Sequence, residues 1–160
     1  MTEPVDLLDS YPLILLSNRE PYEHMRTGAS VELKQPAGGL VSALDPTMRR
    51  ARGTWVAWGS GSADRESSDD QGRVMVPPDD PLYTLHRVWL SDDDIDGYYQ
   101  GFANTALWPL CHMLIQHFRF RRSHWESYRA VNERFARAVA DEAGRAAKGG
   151  RGGVGGGDDR

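Results

Sequence analysis

A short apolar run, Leu13 to Ser17, ends in the polar pair Asn18 and Arg19, and after a further polar stretch the chain restarts as a helix at two adjacent glycines, Gly38 and Gly39. This order constrains the fold more than any other feature of the chain. A continuous apolar run bounded by Pro12 and Asn18 suits a strand buried on both faces, as the strands of parallel sheets are. Strand, loop and glycine-initiated helix then open a β-α-β unit, and such sheets bind ligands outside the carboxyl ends of their strands. At that edge Arg19 offers a fixed cation with a two-pronged match to phosphate oxygens. A glycine helix start offers N–H groups that an anion can approach closely. Taken alone, the segment fits an arginine paired to a surface carboxylate and a plain glycine turn better, since "AGGL" is a weak motif.

The segments that follow fill in the same pattern. "AGGLVSALDPTMRRA" reads as a helix that Pro46 kinks or ends early. "TWVAWG" reads as a strand, "GSGSADRESSDDQGR" as a solvated loop, and "RVMVP" and "YTLHRVWL", separated by "PDDPL", as a hairpin or flanking edge. Ser91 and Asp94 form an acidic capping box, with Asp92, Asp93 and Asp94 at the positive end of a helix carrying "IDGYYQGFANTALW", which Pro109 kinks or divides. α-Helical spacing sets Tyr98, Phe102, Ala106 and Pro109 on one side and Tyr99 about 100° round the wheel, with Phe102 and Leu107 assigned to the core. Ser123 and Glu126 read as a second capping box. They open a helix on which Tyr128, Val131, Phe135 and Val139 share a face and which Gly144 caps. Alternating strands and helices indicate an α/β domain with a mainly parallel sheet.

Composition narrows the function. At 160 residues, 39% hydrophobic and 26% charged, the chain is in the range of one globular domain. A net charge of -4 gives no general attraction to nucleic acid, and the one basic cluster, Arg119, Arg121 and Arg122, is short. No stretch approaches the ~20 apolar residues of a membrane helix, and "MTEPVDLLDS" lacks the features of a secretory signal. The expectation is a cytoplasmic protein without nucleic-acid or membrane partners. Cys111 is read as a small buried hydrophobe. His86, His112, His117 and His124 show no metal-ligand spacing, and "SDDDID" lacks the glycine and distal glutamate of a calcium loop, so no metal or cofactor is expected. Residues 1–12 are expected to be a flexible N-terminus and 13–143 the folded part. Residues 144–160, with eight glycines in seventeen, are expected to form a disordered low-complexity tail. The tail has the composition of GC-rich coding sequence read out of frame, which predicts a truncated or frame-shifted product.

"LLSNRE", "PAGGLVSAL", "GTWVAWG", "YYQGFANTALWP" and "HWESYRAVNERFA" stand in this order and together resemble the N-terminal part of the trehalose-6-phosphate synthase family, which includes glucosylglycerol-phosphate synthases. The resemblance covers about Leu13 to Ala143. It implies the first part of the N-terminal Rossmann-like lobe of a two-lobed GT-B glycosyltransferase, one that moves glucose from UDP-glucose to glucose 6-phosphate with retention of configuration and without a metal. By resemblance, Arg19 and Tyr99 hold the acceptor phosphate, Trp108 lines the acceptor sugar, and Gly38 and Gly39 belong to the loop that closes over UDP-glucose. No residue of the chain is matched to a catalytic group, because the family's next histidine and aspartate and its nucleotide-binding lobe fall outside the resemblance. "REPY" is also similar to the glucosylglycerol-phosphate synthases, whose acceptor is glycerol 3-phosphate, and a non-catalytic sugar-phosphate-binding module is the alternative from another class. The resemblance leaves room for a homo-oligomer of the full-length enzyme. A sheet cut after its first strands would leave an open parallel edge and Trp55, Trp58, Trp89, Trp108 and Trp125 partly exposed, which predicts weak cooperativity and association on concentration.

Overall fold

A computed structural model describes residues 11–36 and 38–149, which form two compact units: 11–87 with 138–149, and 88–137. In the first unit, β1 (Ile14–Arg19), β4 (Thr54–Trp58), β6 (Tyr83–Val88) and β5 (Arg73–Val76) make one sheet in that spatial order. β1 and β4 run parallel, joined through helix α1 (Gly39–Ala51), so the expected β-α-β unit is present. β5 and β6 form the expected antiparallel hairpin.

Burial is uneven across this sheet. β4 is enclosed, with Trp55, Val56 and Ala57 all at 0% exposure, whereas β1 lies at the edge and leaves Leu16 45% exposed. The expectation that β1 is buried on both faces is thus corrected, because among the described residues it has one neighbouring strand. Trp55 is likewise not partly exposed. It centres a core made with Tyr22, Met48, Ala57, Val76, Tyr83 and Leu85, while Trp108 is 51% and Trp125 38% exposed. The turn into β4 needs Gly53, since a Cβ there would stand 2.1 Å from the carbonyl oxygen of Leu13.

Two local expectations for this unit fail. Residues after Arg19 are not one polar loop, because β2 (Glu23–Thr27) and β3 (Ser30–Lys34) pair as a hairpin whose turn starts at Gly28, in the left-handed region with φ 62°. Helix α1 does not kink or end at Pro46 either. It runs on to Ala51, since the exposed proline sacrifices one backbone bond on the solvent side while buried Val41, Asp45 and Met48 hold the helix down.

In the second unit, Ser91 caps α2 (Asp92–Ile95), with both bonds of the capping box to Asp94 in place. Asp94 also binds Arg134 through both carboxylate oxygens, and that guanidinium, with the cap bonds, holds its carboxyl well below the usual range. The continuation is not α-helical. Asp96–Leu107 is a twelve-residue π-helix with i→i+5 bonding, followed by α3 (Trp108–Cys111). Pro109 does not divide the helix as expected: Leu107 and Trp108 keep helical dihedrals and the helix runs on to Cys111, while the Thr105 carbonyl accepts from the Arg119 N–H at 2.7 Å.

Glycines let the π-helix lie against α4 (Arg122–Gly149), for a Cβ on Gly97 would sit 2.4 Å from Ser127 Oγ and one on Gly101 2.5 Å from His124 Nδ1. Phe102 packs with Phe120, Trp125 and Tyr128, as its core assignment requires. Leu107 is 37% exposed and Cys111 is exposed, so neither is a core residue.

α4 begins at Arg122, which places Ser123 inside the first turn rather than at the cap, and Glu126 pairs with Arg122 at 3.0 Å. Val131 and Phe135 are buried on one face as expected. Gly144 is no C-cap: the helix passes through it to Gly149, and in the first unit Glu142 anchors these last turns to Arg73 (2.8 Å). The rest of the tail, 150–160, and residues 1–10 lie outside the described residues. Among the described residues no helix is long and apolar enough to cross a membrane.

Candidate functional site

Arg19 is the last residue of β1, at the carboxyl edge of the parallel pair. Its backbone is fixed from both directions. On one side the pairing register shifts between Leu16 and Arg19, and Ser17 Oγ donates to the Arg19 carbonyl at 2.6 Å while accepting from Trp55 Nε1 at 2.8 Å. On the other side Glu20 is wholly buried. The Arg19 side chain itself is exposed, and among the described residues no carboxylate lies within ion-pair distance of it. A fixed backbone carrying an uncommitted guanidinium is what a preorganised anion contact requires.

Gly38 and Gly39 begin α1, which in a parallel β-α-β unit starts at this same edge. Nothing in the fold demands glycine at either position: Gly38 is extended (φ 176°), and a Cβ on either residue would meet no atom within 4 Å. The first backbone N–H groups of α1 are therefore open to close approach from outside. Tyr99 and Trp108 belong to the second unit. Tyr99 is half-buried in the π-helix. Trp108 opens α3 with its ring stacked on His112, centroids 4.2 Å apart. Arg19, Gly38 and Gly39 thus share one edge of the first unit, and Tyr99 and Trp108 share one helical segment of the second.

Behind Arg19 stands a buried ionic cluster that the sequence reading missed. Arg87, with no exposure, donates Nε to Glu20 Oε2 (2.7 Å) and Nη2 to the Tyr22 carbonyl (3.0 Å), and it lies 3.0 Å from Asp64 Oδ1 and 2.8 Å from His24 Nδ1. Glu20 Oε1 accepts from the Ser60 N–H at 2.8 Å, and Asp64 Oδ1 accepts from the His24 N–H at 2.8 Å. Gly61 fits only as glycine, since a Cβ would come within 2.5 Å of the His24 carbonyl oxygen. The signal was a single arginine inside the apolar run "YTLHRVWL", because a lone buried charge must find partners. Apart from this cluster, the buried carboxylate of Asp45 accepts from Tyr83 (2.6 Å), Tyr22 (3.3 Å) and Arg49 (2.7 Å), which pins α1 to the sheet.

Two carboxylates facing one guanidinium do not ionise alike. Burial, together with the hydrogen bond to Asp64, pushes the Glu20 carboxyl up to about 8. Burial also opposes ionisation of Asp64, but hydrogen bonds from His24 and Glu20 and the Arg87 charge outweigh it and hold that carboxyl well below its usual range. Folding therefore takes up a proton at Glu20: its contribution is complete below 4.5 and is lost as pH rises through about 8. Asp64 acts oppositely, contributing above its ordinary 3.8 and failing in acid. The expected result is a melting temperature that declines from pH 4.5 to about 8, with a flatter profile in Glu20→Gln, which cannot titrate. Parallel slopes in the two proteins would show that Glu20 takes up no proton.

Residues 11–147 match the family model described as glycosyltransferase family 20. The chain is 42% identical over 135 residues to the trehalose-6-phosphate synthase of Mycobacterium avium (strain 104), covering 84% of this chain and 26% of that one. It is 38% identical over 131 residues to the trehalose-6-phosphate synthase of Mycolicibacterium vanbaalenii, covering 81% and 26%. Among solved structures, it is similar to an alpha,alpha-trehalose-phosphate synthase (UDP-forming) from Burkholderia xenovorans in complex with glucose-6-phosphate, with TM-score 0.58, 26% identity and coverage of 82% and 25%. A second, described as trehalose-6-phosphate from E. coli bound with UDP-2-fluoro glucose, gives TM-score 0.59, 27% identity and coverage of 82% and 25%. The chain thus spans about a quarter of the length of these relatives.

Proposed function

The chain belongs to glycosyltransferase family 20, and we propose from this that it carries the acceptor-binding part of an alpha,alpha-trehalose-phosphate synthase that transfers glucose, with retention, from UDP-glucose to glucose 6-phosphate. Arg19 clamps the acceptor phosphate, Tyr99 donates a phenolic hydrogen bond to it, and Trp108 offers an aromatic face to the acceptor sugar. The open amides at Gly38 and Gly39 approach the donor phosphates. The supporting observation is the uncommitted guanidinium of Arg19, held on a fixed backbone at the edge where α1 begins. In the complete enzyme the chemistry rests on electrostatic stabilisation of the departing UDP. These 160 residues, which match about a quarter of a relative's length, are expected to bind acceptor without turnover.

Calorimetric titration with glucose 6-phosphate tests this reading. Arg19→Ala removes a charge-assisted contact of about 1.5–3 kcal/mol, roughly a tenfold to hundredfold weakening, with the melting temperature unchanged. Arg19→Lys recovers part of the loss, since it keeps the charge and gives up the fork. Tyr99→Phe weakens binding less. An unchanged affinity in a folded Arg19→Ala protein overturns the assignment, and tighter binding of glycerol 3-phosphate than of glucose 6-phosphate moves the acceptor to the smaller polyol phosphate.

A further inference from the structure

We propose that Glu20 is the positioning residue for Arg19: its buried carboxylate, tied to Arg87 and to the Ser60 amide, locks the backbone at the end of β1 so that the neighbouring guanidinium is presented in one place. The inference rests on the acceptor-phosphate reading of Arg19 and adds to it a residue that never touches substrate.

The geometry favours this over a purely structural role. Glu20 and Arg19 are adjacent at the end of an extended strand, so their side chains leave opposite faces of the backbone. The one pointing inward is fully buried and the one pointing outward is exposed. Glu20 is anchored from two separate segments, by Arg87 Nε of β6 at 2.7 Å and by the backbone and hydroxyl of Ser60 at 2.8 and 3.1 Å. Arg87 extends the anchorage one residue further by donating to the Tyr22 carbonyl at 3.0 Å, so the chain is held at 20 and again at 22. The Ser17 hydroxyl completes the hold at the Arg19 carbonyl. Every polar bond in this set holds backbone or a neighbour in place, and none engages the Arg19 guanidinium.

Two measurements on the 160-residue chain test the inference. In the first, backbone 15N relaxation at the Arg19 amide should report a rigid order parameter near about 0.85 in the parent protein, dropping below about 0.6 in Glu20→Ala. The amide of Val56 in the central strand should not change. Glu20→Gln keeps the carbonyl acceptor for Ser60 and should restore the rigid value. In the second, glucose 6-phosphate titrations of Arg19→Ala, Glu20→Ala and the double variant form a cycle. Glu20→Ala should weaken binding by about tenfold or more, as misplacement of a contact by an ångström does, and should add nothing once Arg19 is already alanine.

An Arg19 amide that stays rigid in Glu20→Ala, or losses that multiply in the double variant, overturns the positioning role and leaves the Arg19 assignment standing. An Arg19→Ala protein that binds as the parent does overturns the acceptor-phosphate reading, and the relaxation data then decide the backbone role alone. If Glu20→Ala fails to fold, Ser60→Ala, which removes the hydroxyl bond, and Arg87→Lys, which removes the Nε bond, supply the same two readings. Arg19 amides as rigid as the parent's in both variants would overturn the proposal.

Discussion

Arg87→Ala should destabilise the first unit severely. The substitution strands Asp64 and Glu20, both fully buried, without their cation, and it removes the donor that holds the Tyr22 carbonyl. Breaking a buried ion pair from one side costs about 3–5 kcal/mol, a large part of the stability of an ordinary domain. Equilibrium denaturation with urea, followed by tryptophan fluorescence, measures the loss. A loss below about 1 kcal/mol for Arg87→Ala would mean that the cluster contributes no more than an exposed pair.

Trp55→Ala should be nearly as severe, by about 3–5 kcal/mol for removing a buried aromatic side chain. Trp55 has no exposure, its ring lies 6.3 Å from that of Tyr83, and its Nε1 holds the Ser17 hydroxyl that in turn holds Arg19. Trp55→Phe separates the two contributions: most of the apolar volume remains and the bond to Ser17 goes. Its expected signature is a small change in melting temperature with a larger loss of glucose 6-phosphate affinity. If both fall in proportion, Trp55 acts through the core alone.

Elements with a local chemical signature were legible in the sequence. The Ser91 capping box, the β5–β6 hairpin and the start of α1 at the glycines all depend on residues within a few positions of one another. The position of Arg19, Gly38 and Gly39 at one sheet edge was legible too, because strand, loop and helix in that order define an edge before any packing is known. What failed depended on partners far along the chain. Asp64 lies in a segment of Gly, Ser and Asp that reads as solvated, yet it is buried because Arg87 and the His24 amide reach it from other strands. Pro46 predicted a break, and the anchorage of its neighbour Asp45 by Tyr22, Tyr83 and Arg49 outweighed one missing backbone bond. Gly144 predicted a cap, and the hold of Arg73 on Glu142 carried the helix past it. The hairpin at 23–34 did carry a local signal, alternating residues around a turn at Gly28, which the polar composition of the segment obscured.

The π-helix at Asp96–Leu107 makes residue count itself a constraint on this chain. In an α-helix each residue turns the chain by about 100°, and a ring closed at i→i+5 accommodates one residue more than a ring closed at i→i+4. Deleting a single residue from the run would let it tighten to α geometry, and everything downstream would change phase. The places now held by Trp108, half exposed, and by Pro109, buried, would pass to their neighbours. A deletion at Ala103 removes no named side-chain contact and alters no charge, yet it re-aims the tryptophan assigned to the acceptor sugar. Among sequences built on this pattern, the spacing between the paired tyrosines and the Trp-Pro pair should therefore tolerate substitution far better than a change in length.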